Sequence, residues 1–377
     1  MRINYIKIKN FRNHLEKELN FDDGINILWG NNGVGKTTIL EAISVCSISK
    51  SFTTNTDLAL VNENEKQYHI SANCTNDLNL PYKINISFTP KEPKEITSNF
   101  GARLLPKDII GEIPLVILSP DYKKITASSP EFRRQFINGI LSQASKNYLE
   151  KLYQHRKILK QRNSLLSQFK GILNSNNESL LDILSQWTAA LIDVSADLIV
   201  RRNNFINDFN PIFIDAYKTI SNSKENANIY YQPDSITDTI INDAIINKEQ
   251  IIEILTHRSD AIQNAEIKRA TTLFGSQKDD IKICINNGIA KEYASQGQHK
   301  SLLIAIKFAE FQYLLEKRNE TPVILFDDIF SELDNTRIAK VLNLLAQSNA
   351  QIFITLTDPS IIKNATNIKT NLTEIIN

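Results

Sequence analysis

The chain has 377 residues, 42% hydrophobic and 23% charged, with a formal net charge of +1. That apolar share excludes global disorder, and the length suits about two or three domains. The near-zero charge removes the simplest argument for a nucleic-acid partner, a globally basic chain, so any such binding must come from charge placed unevenly. Cys46, Cys74 and Cys284 stand far apart with no C-x-x-C pair, which argues against a disulfide framework or zinc knuckle and for a reducing cytoplasm. The start of the chain alternates polar and apolar residues without a signal-peptide core. No run of about 18 apolar residues is seen, so the expectation is a soluble cytoplasmic protein with no membrane partner.

Residues 1–120 read as strands and turns with one helix. Ile3–Ile8 and Ile25–Leu28 are strand patterns, a helix starts near Gly35, and Tyr68–Cys74, Tyr82–Phe88 and Leu115–Leu118 are further strands. From Pro130 the pattern turns helical. Leu180, Leu184, Trp187, Leu191, Val194 and Leu198 form a heptad seam, and Leu152, Leu159 and Leu166 repeat every seven residues before it. A turn over Gly171–Asn177 would make these an antiparallel hairpin, either projecting or packed in a compact helical lobe. Residues 211–260 read as more helix. Beyond about 265 the α/β pattern returns: strands at Ile281–Ile285, Val323–Phe326 and Ile352–Leu356, and helices at Lys300–Lys317 and Arg337–Gln347. The expected organisation is one α/β domain, 1–125 and 266–377, interrupted by a helical insertion over 126–265.

Gly30-Asn31-Asn32-Gly33-Val34-Gly35-Lys36-Thr37 fits G-x-x-x-x-G-K-[ST] at every fixed position, between a strand and a helix. Its glycines let backbone N–H groups converge on phosphate oxygens at a helix N-terminus. Lys36 is then placed for the β/γ-phosphates of ATP, Thr37 for Mg2+, and Thr38 for an α-phosphate. Val323–Asp328 is an apolar strand ending in two acids, the Walker B pattern. Asp327 would hold Mg2+, and Asp328 would orient or deprotonate the attacking water, so Lys36, Asp327 and Asp328 are the catalytic candidates. Ser295-Gln296-Gly297-Gln298 precedes a long helix and offers a second anion site from hydroxyl and backbone N–H. A chain with its own phosphate loop does not need it for the same nucleotide. Ser295, Gly297 and Gln298 therefore suit a γ-phosphate held by another subunit, with Ser331–Asp334 near the same interface.

Together these residues resemble the RecF family of DNA-repair ABC-type ATPases, itself similar to SMC heads. The resemblance covers essentially the full length. It rests on Asn10-Phe11-Arg12-Asn13, the phosphate loop, Glu41-Ala42-Ile43 and Ser119-Pro120-Asp121. It continues through Ser129–Phe136 with its Arg133-Arg134 pair, Tyr293–Gln298 and Phe326–Asp334. It implies an α/β ABC/SMC-like P-loop ATPase head with a helical insert, a weak DNA-stimulated ATPase and an ATP-dependent homodimer. It also implies gap repair together with RecR and RecO, serving the RecA recombinase. The chain departs from the family at Gly275-Ser276-Gln277-Lys278-Asp279-Asp280, where a Gly-Pro-His-Arg-Asp-Asp run is usual, leaving Lys278 as a remaining positive charge. Residues 352–358 offer only threonines where transporter ATPases carry a histidine. With Asp rather than Glu at 328, this implies slow hydrolysis suited to a switch. An SMC-like chromosome-organising head is the alternative, disfavoured by the short insert. A transporter subunit or a GTPase fits less well.

Charge is uneven. Lys123–Lys170 carries eleven basic residues against Glu131 and Glu150, about +9. Gly171–Leu255 carries five basic residues against twelve acids, about −7. Lys146, Lys151, Arg156, Lys157, Lys160 and Arg162 are candidates for a DNA-backbone surface, or else pair with the acidic segment. Arg133 and Arg134 fit ATP-state coupling as well as DNA contact. Binding to single-stranded or gapped DNA would be sequence-independent and salt-sensitive.

Overall fold

The computed structural model describes residues 1–99, 101, 103–169, 178–221, 225–236, 247–330, 335–363 and 370–376. Two compact units emerge. The first joins Met1–Lys123, Ala216–Lys224 and Lys300–Asn377, and the second joins Lys124–Asp215 and Glu225–His299. The expected boundary at 265 therefore moves to 299. The reason is that β9 (Ala227–Gln232) pairs with β10 (Asp280–Ile285), which carries β11 (Gly288–Ile289) on its other edge. This keeps the later residues with the insertion.

In the first unit, β1 (Arg2–Phe11), β2 (His14–Asn20), β4 (Tyr68–Thr75), β5 (Pro81–Phe88), β6 (Glu95–Ser98) and β7 (Arg103–Leu104) form an antiparallel sheet ordered β2-β1-β4-β5-β6-β7. Alternation decides its faces: Ile3, Ile6 and Ile8 are buried while Lys9 is exposed. A second sheet, all parallel, is ordered β14-β3-β13-β12-β8. It contains β3 (Ile25–Trp29), β8 (Leu115–Leu118), β12 (Val323–Asp327), β13 (Ile352–Leu356) and β14 (Thr370–Glu374). The near-continuous apolar runs of β8, β12 and β13 fit burial on both faces.

Helix α1 (Lys36–Ile48) shares the core with both sheets and is buried without interruption from Thr38 to Ser47. Its buried polar residues are paired: Ser44 donates to the Lys50 carbonyl, Ser47 to the Ile43 carbonyl, and Glu41 accepts from Ser51. Ile39, Leu40, Ile43 and Val45 are each wholly buried, worth about 1.5–3 kcal/mol apiece. Two short helices, α2 (Pro106–Ile109) and α3 (Lys123–Ala127), follow the first sheet.

The second unit is a helical lobe of α4 (Pro130–Ala144), α5 (Lys146–Phe169), α6 (Glu178–Ser221, its last turn in the first unit) and α7 (Lys248–Arg269). The heptad seam is real: Leu184, Leu191, Val194 and Leu198 are fully buried. Leu165, Leu166 and Phe169 of α5 cluster with Leu184, and Ile267 of α7 packs against them. The packing favours the compact-lobe alternative, since Ile267 of a third helix packs at the Leu184 end of the seam. An 18-residue stretch of α6 reaches mean hydropathy 1.4, apolar enough by composition to cross a membrane. Of that stretch 44% is buried, with Leu184 in the cluster just described. Residues 211–221 continue α6 through Pro211, and 227–232 is a strand rather than helix. The turn over 171–177 lies outside the described residues. After α8 (Ala290–Tyr293), α9 (Gln296–Arg318) begins four residues before the sequence pattern places it, and α10 (Asn335–Gln347) and α11 (Ser360–Lys363) complete the chain.

Candidate functional site

Past β3 the chain enters left-handed backbone at Gly30 (φ 148°) and Gly35 (φ 96°). A Cβ at Gly30 would lie 2.6 Å from the Ile375 carbonyl oxygen, and one at Gly35 would strike the His14 ring and lie 2.7 Å from the Asn13 amide. Both positions need glycine for space as well as for φ. Val34 reaches into the core, while Asn31, Asn32 and Gly33 stay exposed. The loop is thereby anchored at one residue and open beside it. Lys36 Nζ donates to the carbonyls of Gly30 (2.7 Å) and Asn31 (2.8 Å), curling the loop around its own ammonium. Burial lowers the Lys36 pKa below its ordinary value, opposed by the charges of Asp328 and Asp327.

The two halves of the predicted site meet. Thr37 Oγ1 donates to Asp327 Oδ1 at 2.7 Å across 290 residues of sequence. Thr355 Oγ1, from the end of β13, donates to the same oxygen at 2.8 Å and accepts from the Asp328 N–H at 3.0 Å. One hydroxyl therefore sets the side chain of one acid and the backbone of the next. Asp328 sits at φ 49°, a left-handed conformation that Asp tolerates better than most residues. Burial raises the Asp327 pKa, and the hydrogen bonds from Thr37 and Thr355 oppose that rise. A hydroxyl and a carboxylate side by side are hard oxygen donors, the set that suits Mg2+. The threonines of β13, noted in the sequence only as a missing histidine, thus acquire a role at Thr355.

The Asn10–Asn13 segment also belongs to this site. Glu41, buried on α1, accepts from Arg12 at 2.7 and 3.1 Å and from Ser51 at 2.6 Å. Asn13 accepts from Thr38 Oγ1 at 3.0 Å and donates to the Gly33 carbonyl at 3.1 Å. Thr38 therefore directs its hydroxyl proton to Asn13. Sequence reasoning missed His14, whose Nε2 lies 3.2 Å from the Gly35 carbonyl.

Ser295, Gly297 and Gln298 form a separate cluster in the second unit. The Ser295 N–H donates to Gln298 Oε1 at 2.7 Å and the Gln298 N–H to Ser295 Oγ at 3.2 Å, a reciprocal cap at the start of α9. Gln298 also donates to Glu225 at 2.8 Å. Ser295 is exposed, and the Ser331–Asp334 expectation falls outside the described residues.

The basic segment needs correction. Arg162 is not a DNA contact: it is 1% exposed and pairs bidentately with Glu266 (2.6 and 3.2 Å), with Thr188 and Thr272 filling its other donors. A buried guanidinium is tolerable only when fully paired. Lys151 pairs with Asp197 at 3.2 Å, so the acidic segment takes part of this charge. Lys146 is half-buried and engaged within the protein, whereas Arg156, Lys157 and Lys160 are exposed on α5. Arg133 is not a DNA contact either, since it is buried and bidentate on Asp280 at 2.7 and 2.8 Å. Arg134 donates to the Asp279 carbonyl at 2.7 Å.

The departing Gly275–Asp280 run proves structural. Arg202 pairs with Asp279 at 2.8 Å and donates to the Ser276 carbonyl at 2.6 Å, and Tyr231 donates to Asp279. His155 Nε2 lies 3.1 Å from Ser276 Oγ and 3.2 Å from Gln277 Oε1. Lys278 remains exposed.

Residues 1–357 match the AAA ATPase domain family. The DNA replication and repair protein RecF of Prosthecochloris aestuarii is 36% identical over 92% of this chain and 91% of its own length. That of Chloroherpeton thalassium is 33% identical over 95% of each. A solved structure of the recombination mediator protein RecF with ATP, in the RecFOR pathway, superposes with TM-score 0.89 at 29% identity, covering 99% of this chain and 95% of that one. An Smc head domain from Pyrococcus furiosus, with TM-score 0.55 and 16% identity over 97% of this chain and 92% of that one, shares the fold alone. A phosphate loop joined to a paired-acid strand, in a chain alike to these relatives along nearly its whole length, makes this an ATPase of the RecF family.

Proposed function

We propose that this ATPase is a recombination mediator of DNA repair that works in the cytoplasm as an ATP-closed clamp on DNA. The observation that carries it is the Thr37–Asp327 hydrogen bond, which joins the phosphate loop to the Walker B acid. Thr37 and Asp327 would hold Mg2+, which supplies charge neutralisation at the β/γ-phosphate oxygens. Lys36 binds the same phosphates, and Asp328 orients the attacking water. Thr355 keeps Asp327 aimed at the site by hydrogen bonding. Ser295, Gly297 and Gln298 of a second copy close on the γ-phosphate, so that ATP links two heads and slow hydrolysis separates them. Likeness to relatives named for the RecFOR pathway supports RecO and RecR as partners and loading of RecA at single-strand/duplex junctions as the task. Exposed Arg156, Lys157 and Lys160 are the part of the basic helix still suited to DNA phosphates.

Light scattering after size exclusion, with and without ATP and Mg2+ and with a gapped duplex, tests the clamp. A dimer that forms only with ATP is expected. Ser295→Arg should stay monomeric while still binding ATP, and a dimer independent of ATP would reject the scheme. Reversing Arg156, Lys157 and Lys160 to Glu should weaken duplex binding and flatten its salt dependence by about three charges. An unchanged salt slope would remove this helix from the DNA surface.

A further inference from the structure

A phosphate loop works by turning its backbone N–H groups inward. Its carbonyls then point away from the nucleotide and need donors of their own, because an unpaired buried carbonyl costs free energy. Lys36 serves the carbonyls of Gly30 and Asn31. The exposed Gly33 carbonyl, and the Gly35 carbonyl that also accepts from the Ile39 N–H of α1 at 3.3 Å, are met from outside by two consecutive residues, Asn13 at the β1–β2 turn and His14 at the start of β2. Asn13 Nδ2 donates to Gly33 at 3.1 Å, and His14 Nε2 lies 3.2 Å from the Gly35 oxygen, where a ring N–H can donate.

The turn that carries this pair is itself tied down. Arg12, at φ 55°, grips Glu41 of α1 through two guanidinium nitrogens, and its backbone N–H donates to the Leu60 carbonyl at 2.8 Å. The Asn62 side chain donates to the Arg12 carbonyl at 2.6 Å. His14 is 5% exposed, and its ring occupies the space that a side chain at Gly35 would need. A loop with three left-handed glycines, Gly30, Gly33 (φ 85°) and Gly35, has many alternative shapes, and each shape that is lost beforehand need not be lost on binding.

We infer that Asn13 and His14 are positioning residues that brace the phosphate loop from outside and hold its N–H groups in the nucleotide-receiving arrangement. Asn13 has a second task. Its Oδ1 accepts the Thr38 hydroxyl proton, so Thr38 is held by the brace until a phosphate oxygen competes for that proton. The inference rests on the reading of Gly30–Thr37 as the ATP site. It adds that the affinity of that site is set partly by the β1–β2 hairpin, acting through the carbonyls of the loop.

The test is ATPγS binding by calorimetry in the presence of Mg2+, on the full chain. Wild type is compared with Asn13→Ala, His14→Leu, His14→Gln and Lys36→Ala. Asn13→Ala and His14→Leu should each weaken binding about tenfold, which is about 1.4 kcal/mol. Their melting temperature in the absence of nucleotide should stay within about 2 °C of wild type, so that the loss is one of nucleotide affinity and not of folding. His14→Gln keeps an N–H where Nε2 stands and should recover most of the affinity, a rescue that loss of packing alone does not predict. Wild-type affinity in both Asn13→Ala and His14→Leu, with Lys36→Ala defective, overturns the brace while leaving the site intact. Wild-type affinity in Lys36→Ala overturns the site reading itself.

Discussion

At the phosphate site of the first unit, two key charges are held by neutral groups. Lys36 leans on two backbone carbonyls, Asp327 is held by two hydroxyls, and neither is locked to an opposite charge by a direct ion pair among the described residues. In the helical lobe Arg133, Arg162 and Arg202 are buried and each is closed by a carboxylate, Asp280, Glu266 and Asp279 respectively. Residue type alone therefore does not separate a working cation from a structural one. What separates them is whether the partners are neutral dipoles, which leave charge available to a ligand, or a counter-charge, which does not.

The sharpest break of that contrast is Arg162→Ala. It leaves the Glu266 carboxylate buried and unpaired, which should cost about 3–5 kcal/mol of stability in urea titration. Nucleotide affinity in the fraction that remains folded should be unchanged. A loss below about 1 kcal/mol would mean that this pair is not the lobe's electrostatic anchor.

Asp327→Asn should do the opposite. The amide keeps an oxygen for Thr37 and Thr355, and it removes a carboxylate whose pKa is raised first of all by burial. Turnover should fall on the order of 100-fold, while the melting temperature holds or rises slightly. A variant that unfolds early would place Asp327 among the structural charges after all.

Within the lobe, pH separates two neighbouring buried groups. Burial lowers the His155 pKa to about 4, with the Arg202 charge adding to the effect. Burial also raises Asp279 to about 6, against the pull of Arg202. A depressed imidazole contributes stability present above its ordinary value of 6.5 and lost as pH falls toward about 4. A raised carboxyl contributes stability present below its ordinary 3.8 and lost as pH rises through about 6. Between about 4 and about 6 the two trends oppose. His155→Gln removes the first and exposes the second. Relative to wild type, its stability should decline by about 1–2 kcal/mol as pH rises across that window. Parallel curves for the two proteins would show that His155 does not titrate with folding.

The same contrast explains what could be read from the sequence. The phosphate loop and the paired acids were legible because they depend on local backbone geometry and on strand ends, which residue order encodes directly. The role of Thr355 was not, because it arises only when β13 lies parallel beside β12. Strand β14, Thr370–Glu374, is short and polar and acquires its identity only by pairing with β3. Arg162 was misread as a surface charge, yet the signal was present. Tyr148, His155, Arg162 and Phe169 step by seven along α5, and all four are buried. The stripe was obscured because only one of its members is aliphatic or Phe.

Strand β3, which feeds the phosphate loop, is flanked by β13 and β14, and both come from the last twenty-six residues of the chain. A ribosome therefore delivers residues 30–37, with Asn13 and His14 already made, long before it delivers the two strands that flank β3. The lobe, whose residues are complete by 299, has all its partners much earlier. Synthesis order then acts as a timer. The nascent chain can build its helical lobe before β3 gains either of its neighbours, and the sheet under the phosphate loop closes only as those strands emerge.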